Sequence, residues 1–273
     1  MISKGLGILG ICLTFAALPS VAQVPSGPTS PLTTAVITPR NHGPILDHVK
    51  IDNSTGTSSN WSGFVVTGSD FTFAKGSWHV PEVDCTTAPN TYSAFWVGLD
   101  GQSDKTVEQT GTASDCNGTT PQYYAWYEFY PAKAVVINMA ISPGDVMGAS
   151  VTYSDGEFTV GIHNHTTGAE YSKTATVSGA NRTSAEWIAE APCCTSGGGI
   201  LPLADFDVAS FGEDYNADPG TNFATDSAVS DGSILDFGSN RERITMVYSG
   251  GNKAVPTVLT SDGTSFRVDW KHE

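Results

Sequence analysis

Two carboxylates fall on one face of the stretch Ala185-Glu186-Trp187-Ile188-Ala189-Glu190. As a strand it turns Glu186, Ile188 and Glu190 one way and Ala185, Trp187 and Ala189 the other, because successive side chains alternate. A carboxylate among aromatic rings can act as a general base in acid. Its ordinary pKa is about 4, so it is ionised at a pH where a histidine, at about 6.5, already carries its proton. A second carboxylate has a similar setting. In Tyr123–Tyr130, one face would carry Tyr124, Trp126, Glu128 and Tyr130, and the other Tyr123, Ala125, Tyr127 and Phe129. The second set reads as core. The first rings a carboxylate with large amphipathic side chains, as a cleft for an extended polymer would, although an aromatic sheet face can also be purely structural. Trp61, Trp96 and Asp100 stand in further aromatic segments and tilt the reading towards a cleft.

Other chemistries find little support. There is no Gly-x-Ser-x-Gly elbow, no His-Glu-x-x-His pair, no Asp-Thr-Gly or Asp-Ser-Gly, and no phosphate-binding glycine loop. His163 and His165 share a strand face, but no third metal ligand is indicated, so they read as surface histidines and the metal site as none. No cofactor is expected.

The elements that must position these residues are strands. Short β-branched or aromatic runs recur between Gly, Asp, Ser and Pro, with 29 glycines in 273 residues. Strands are expected over 60–67, 75–80, 93–99, 106–111, 123–130, 146–153, 157–164, 170–177, 185–190, 205–211, 244–248, 254–259 and 265–270. Asp155-Gly156 between two alternating runs marks a hairpin, and Asp262-Gly263 a further turn. Many short strands without intervening helices imply an all-β fold, an antiparallel sandwich or barrel.

Three segments divide the chain. Residues 1–22 read as a secretory signal: Lys4, an apolar run from Leu6 to Leu18, then Ser20-Val21-Ala22. Residues 23–55 are rich in Pro, Ser and Thr and carry Arg40, His42, His48 and Lys50. They read either as a disordered tether or as an inhibitory pro-segment that docks electrostatically on an acidic cleft and leaves when carboxylates protonate. Residues 56–273 hold 26 Asp and Glu against 10 Lys and Arg. Such acidity argues against nucleic acid and anionic membranes as partners. It suits acid, where few bases remain to repel one another once the carboxylates are neutral. Cys85, Cys116, Cys193 and Cys194 are an even set for an oxidising compartment. Either Cys193 and Cys194 bridge each other, or each links to one of Cys85 and Cys116.

Six segments, in order, resemble the glutamic peptidases, or eqolisins: Asn60-Trp61-Ser62-Gly63, Trp96-Val97-Gly98-Leu99-Asp100-Gly101, Gln109-Thr110-Gly111, Ala125–Pro131, Ile141-Ser142-Pro143-Gly144-Asp145, and Ala185–Glu190. The resemblance implies a sandwich of two antiparallel sheets, one curved around the substrate, in a concanavalin-like or lectin-like jelly-roll arrangement. It implies a catalytic pair, Gln109 and Glu190, with Glu186 outside it. It places Trp61, Trp96, Trp126, Glu128 and Tyr130 along the cleft, with Asp100 beside them. Tyr124 stands where relatives often carry Asp, and Thr112-Ala113 where an acidic residue commonly follows Gln-Thr-Gly. The bacterial style of the signal suggests a bacterial member of a family best known from fungi.

The expectation is a secreted, monomeric acid endopeptidase acting on polypeptides. Glu190 would take a proton from water and return it to the leaving nitrogen, and Gln109 would hold the oxyanion. The rivals are a glycoside hydrolase using Glu128 and Glu190, and a non-catalytic carbohydrate-binding module whose Trp face stacks sugars.

Overall fold

Alternation of side chains along each strand gives this chain two apolar surfaces of different kinds. The computed structural model describes residues 37–193, 199–216 and 222–273. Among them run eighteen strands: β1 (Val49–Lys50), β2 (Thr55–Ser58), β3 (Trp61–Thr67), β4 (Phe73–His79), β5 (Ala94–Leu99), β6 (Val107–Asn117), β7 (Thr120–Tyr130), β8 (Val135–Ile137), β9 (Val146–Ser154), β10 (Glu157–Asn164), β11 (Ala169–Ala175), β12 (Ser184–Glu190), β13 (Val208–Phe211), β14 (Phe223–Thr225), β15 (Gly232–Ser233), β16 (Arg241–Tyr248), β17 (Gly251–Pro256) and β18 (Phe266–Trp270). Helix is confined to one turn of α-helix, Glu213–Asn216, and a 3-10 segment, Ile234–Asn240. Residues 37–54 belong to the same compact unit as the strands. The expected signal, residues 1–22, lies outside the described residues.

Neighbouring strands can be followed in one walk: β8-β7-β6-β5-β12-β3-β16-β17-β18-β13-β4-β9-β10-β11. All these pairings are antiparallel; β2 runs parallel to β16 at one side. The walk doubles back at β16 to β18, where β16 and β17 carry a bulge at Met246/Val247. β4, β9 and β10 thereby pack over β5 and β6, which makes a sandwich. The Asp155-Gly156 turn joins β9 to β10, with both residues at positive φ (53° and 88°), as a two-residue I′ hairpin requires.

The buried core lies between the layers. Phe95, Val97, Leu99, Ala185, Trp187 and Ala189 meet Trp78, Met147, Val151, Phe158, Val160 and Phe211 there. Ala125, with Tyr123, Tyr127 and Phe129 against it, completes the inner face of β7. A second apolar cluster covers the outer face of the β7-β6-β5-β12-β3 layer and includes Trp61, Val65, Trp96, Tyr124, Trp126 and Ile188. The Cys85–Cys116 disulfide ties the segment before β5 to the end of β6. It excludes the expected alternative in which Cys193 and Cys194 each bond one of these two. Cys194 lies outside the described residues.

A cross-strand row explains how the outer face accommodates its tryptophans. Gly63, Ile188, Trp96 and Gly111 are direct partners across β3, β12, β5 and β6, and Gly111 faces Trp126 on β7. Two glycines, Gly63 and Gly111, stand in the row among Ile188, Trp96 and Trp126. A Cβ on Gly111 would stand 2.2 Å from the Phe95 carbonyl oxygen and 2.6 Å from Trp96 Cβ. Glycine here therefore serves close approach of neighbouring chains. Gly111→Ala should destabilise the protein by about 1–3 kcal/mol through overpacking, whereas Gly161→Ala, whose Cβ would meet only Ser150 Oγ at 3.4 Å, should change stability by less than about 0.5 kcal/mol. Urea unfolding of the two variants is the measurement, and equal midpoints would contradict this reading.

Candidate active site

Five adjacent strands supply the site, and each side chain points outward because of its place in the period-2 pattern. Gln109 on β6 lies directly opposite Glu128 on β7. Glu190 ends β12, directly opposite Trp61 on β3 and Ala94 on β5. Trp96 on β5 donates its indole N–H to Glu190 Oε2 at 2.9 Å. Trp61 meets Trp96 edge-on, with ring centroids 5.0 Å apart. Gln109, Glu128 and Glu190 are all buried.

What joins the two ends of the site is a single residue from the N-terminal segment, His42. Its backbone N–H donates to Glu128 Oε2 at 2.8 Å. Its carbonyl oxygen accepts from Gln109 Nε2 at 2.5 Å. Its Nδ1 lies 3.0 Å from Glu190 Oε2. Its ring stacks on Trp126, with centroids 3.6 Å apart and planes 12° from parallel. Gln109 Nε2 also reaches Glu128 Oε2 at 3.3 Å. The Tyr130 ring stands within 3.5 Å of where a Cβ on Gly43 would be.

Burial sets the protonation of the site. It pushes the His42 imidazole down to about 3, so the ring is neutral. Burial, reinforced by the Glu128 carboxyl and opposed by the Trp96 N–H, raises Glu190 well above the ordinary range. Glu128 rises to about 9 for the same first reason, with the His42 N–H pulling the other way. The hydrogen bond between His42 Nδ1 and Glu190 Oε2 runs in the direction that the imidazole tautomer sets, and Oε2 also accepts the Trp96 N–H. Burial thus pushes the Glu190 carboxyl towards its protonated form while His42 is in place, against the ionised base near pKa 4 that the sequence suggests. Six buried polar atoms here have no hydrogen-bond partner: His42 Nε2, Gln109 Oε1, Glu128 Oε1, Glu190 Oε1, Trp61 Nε1 and Trp126 Nε1. Buried polar atoms are normally paired, so such a concentration marks a site whose purpose is not structural.

The structure thus brings Gln109, Glu190, Glu128, Trp61, Trp96, Trp126 and Tyr130 together and leaves Asp100 out. Asp100, at φ 67°, accepts the backbone N–H groups of Asn181, Arg182 and Thr183 at 2.8–3.0 Å. It fastens the loop that feeds β12. Glu186 is buried on the same face as Glu190, with no hydrogen-bond partner for either oxygen. No group of His, Cys, Asp and Glu suited to a metal occurs among the described residues. His42 stands at the centre of this arrangement, and sequence reasoning did not place it there. Its only signal was its membership of a locally basic stretch.

Comparison with known proteins fits this arrangement. The model of the peptidase A4 family matches residues 59–257. Scytalidopepsin B of Scytalidium lignicola is 34% identical over 181 residues, 64% of this chain and 65% of its own length, so the match spans just under two thirds of that relative. Aspergillopepsin-2 of Aspergillus niger is 29% identical over 241 residues, covering 77% of this chain and 82% of its own. A crystal structure of scytalido-glutamic peptidase with a transition-state-analogue inhibitor aligns with TM-score 0.63 and 27% identity, over 78% of this chain and 98% of that one. These relatives define a class, the glutamic peptidases. The chain belongs to it as a member of the peptidase A4 family, the eqolisins.

Carboxyls of this kind couple stability to pH. Burial lifts Glu108 and Glu128 to about 9, Asp115 to about 7 and Asp100 to about 6, and raises Glu186 and Glu190 well above 4.5. A carboxyl whose pKa is raised by folding holds its proton more tightly when folded. Its stabilising share is complete below the ordinary value, near 4.5, and is lost as pH climbs through the folded value. The melting temperature should therefore be highest near pH 4 and fall steadily towards pH 9, and Glu108→Gln should flatten the fall. A melting temperature that rises from pH 4 to pH 8 would contradict this.

Proposed function

We propose that the chain is an exported acid endopeptidase that hydrolyses peptide bonds with Gln109 and Glu190 and no metal or cofactor. One observation carries the proposal: a peptide carbonyl, that of His42, already rests on Gln109 Nε2, and Glu190 contacts the same residue. A substrate carbonyl at that place would have its developing oxyanion held by an amide that is neutral at every pH. An ionised Glu190 takes a proton from water, the water oxygen attacks the carbonyl carbon, and Glu190 returns the proton to the leaving nitrogen as the C–N bond breaks. The products are a carboxylic acid and an amine. Gln109 Oε1, buried and unpartnered, can orient the water.

Glu190 becomes an effective base once His42 leaves and water enters, because burial is the first cause of its raised pKa. The stacked Trp126 and the Tyr130 ring beside Gly43 support binding of an extended chain on this face. Export is supported by the apolar stretch Leu6–Leu18 followed by Ser20-Val21-Ala22. No helix among the described residues is long and apolar enough to cross a membrane.

The test is haemoglobin cleavage at acid pH. Glu190→Gln should lose activity to background with the melting temperature retained. Gln109→Ala should lose about 10²–10³-fold, the cost of one oxyanion donor. Unchanged cleavage by either variant would refute the pair. Chelators and serine-protease reagents should have no effect, and inhibition by a chelator would point to a metal instead.

A further inference from the structure

The two outer faces of the sandwich are built from different residues. The face over β7-β6-β5-β12-β3 carries Trp61, Trp96 and Trp126. The face over β4-β9-β10-β11 carries small polar groups arranged in register rows. Lys75, Ser150, Gly161 and Ser172 are successive partners across these four strands, and Gly148, His163 and Glu170 are successive partners one period along. The residues between the rows, Ala149 and Ile162, turn inward and are buried in the core. Together with His165, the rows line a hollow of about 680 Å³, the size of a small-ligand site. One period beyond it, Thr152, Thr159 and Thr174 are again successive partners. A band of hydroxyls therefore continues past the hollow.

Gly161 opens the floor of this hollow. Glycine inside a strand costs stability, and it commonly marks a place where a ligand or another backbone comes close. Gly111 is accounted for by the crowding of its own neighbours. Gly161 is not: a Cβ there would meet only Ser150 Oγ, at 3.4 Å, and its φ is not positive. Neither packing nor backbone geometry within the chain calls for glycine at this position. The walls are cationic. Lys75 from β4, His163 from β10 and His165 just beyond β10 face one carboxyl, that of Glu170 on β11. The two imidazole rings have centroids 4.2 Å apart. Histidine is charged in acid, and two charged rings at this spacing repel unless an anion sits against them.

We propose that this hollow is a second binding site, for an anionic polysaccharide whose sulfate or phosphate esters sit against His163, His165 and Lys75 while its sugar hydroxyls bond Ser150 and Ser172 over the Gly161 floor. With the histidines charged, the hollow holds three cations against one carboxyl; with them neutral, one against one. Binding therefore strengthens in acid. There a carboxylate ligand would lose its charge, whereas a sulfate ester keeps it. The site lies on a sheet face, where the backbone groups of β9 and β10 are used by ladders on both sides. Only side chains are left to make contacts. That suits a chain of hydroxyls and ester anions better than a peptide, which would pair at a strand edge. The hydroxyl band through Thr152, Thr159 and Thr174 gives a longer chain somewhere to run. Tyr171 offers no stacking platform, because its ring already stacks on Tyr127, with centroids 5.6 Å apart. Recognition is thus by charge and hydrogen bonds. The site faces away from Gln109 and Glu190 and does not depend on their assignment; it would hold the protein on an extracellular polymer with the opposite face open.

The experiment titrates the full chain with dextran sulfate at about pH 5.5, below the ordinary histidine value of about 6.5. The isoelectric point of the chain is about 4.6, so the protein as a whole is still negative at that pH and a polyanion can be held only by a local patch. Wild type should bind dextran sulfate, and should bind it at least about tenfold more weakly at about pH 8. Unsubstituted dextran should bind at least about tenfold more weakly at either pH. The double variant His163→Ala/His165→Ala should lose at least about tenfold in affinity at about pH 5.5, by removing the charged donors. Gly161→Gln, which fills the floor and leaves the charge unchanged, should lose as much with its melting temperature retained. Equal binding by wild type and both variants would overturn the site, because the polymer would then be held elsewhere. Absence of binding by wild type at about pH 5.5 would overturn it as well. Tighter binding of a phosphorylated peptide than of dextran sulfate would overturn the saccharide as the occupant.

Discussion

A carboxyl group taken out of water with no cation beside it keeps its proton, and this protein depends on that fact at its functional centre. No Lys or Arg among the described residues pairs with Glu128, Glu186 or Glu190. Removing an ionised carboxylate from water is costly, and the neutral form avoids that cost. The outer sheet face can therefore stay closed only while its acids stay protonated. Chemistry there requires water to return. Stability and the proposed catalysis are in this way two responses to one quantity, the hydration of the carboxyls.

The strand order follows from the same need. Gln109, Glu128 and Glu190 stand on neighbouring strands of one sheet layer, so their backbones are fixed by ladders rather than by loops. The inner face of that layer is buried against β4, β9 and β10, which gives the site a rigid floor. The outer face must hold three large indoles, Trp61, Trp96 and Trp126, around the polar groups. Gly111 makes room beside Trp96, and Gly63 lets β12 approach β3 closely in the same row. With so much fixed by the sheet, the one covering element drawn from outside these strands is the segment that carries His42.

Much of this was legible in the sequence because period-2 alternation is a direct record of which face is buried. Tyr124, Trp126, Glu128 and Tyr130 separated cleanly from Tyr123, Ala125, Tyr127 and Phe129, and Glu190 from Trp187. What was not legible has physical reasons. Strand β6 was expected to stop at Gly111 but runs to Asn117; a glycine needed for close approach looks like punctuation. Strands β1, β2, β8, β14 and β15 have only two to four residues each, too few to show a period. Asp100 stands among cleft residues in the sequence, yet its left-handed backbone turns it towards a loop that is distant in the chain. His42 reaches Glu128 and Glu190 across 86 and 148 residues, and its contacts with Glu128 and Gln109 are made by its backbone, which no side-chain pattern announces.

The presence of glutamine, rather than a third acid, at position 109 follows from charge. Glu128 lies directly across from it and already raises Glu190 through its own carboxyl. A carboxylate at 109 would share protons with both neighbours, and its ability to donate would come and go with pH. An amide donates N–H at every pH, so in the proposed reaction oxyanion stabilisation would not depend on the ionisation of the base. Glu128 then has a part distinct from either member of the pair. Held neutral, it can stay buried beside Gln109 at little electrostatic cost and accept hydrogen bonds from the Gln109 amide and from a bound chain's N–H, as it does from His42. In the proposed reaction only Glu190 would have to cycle between its protonated and ionised forms, and a single cycling acid suits a medium in which protons are abundant and histidine is already charged.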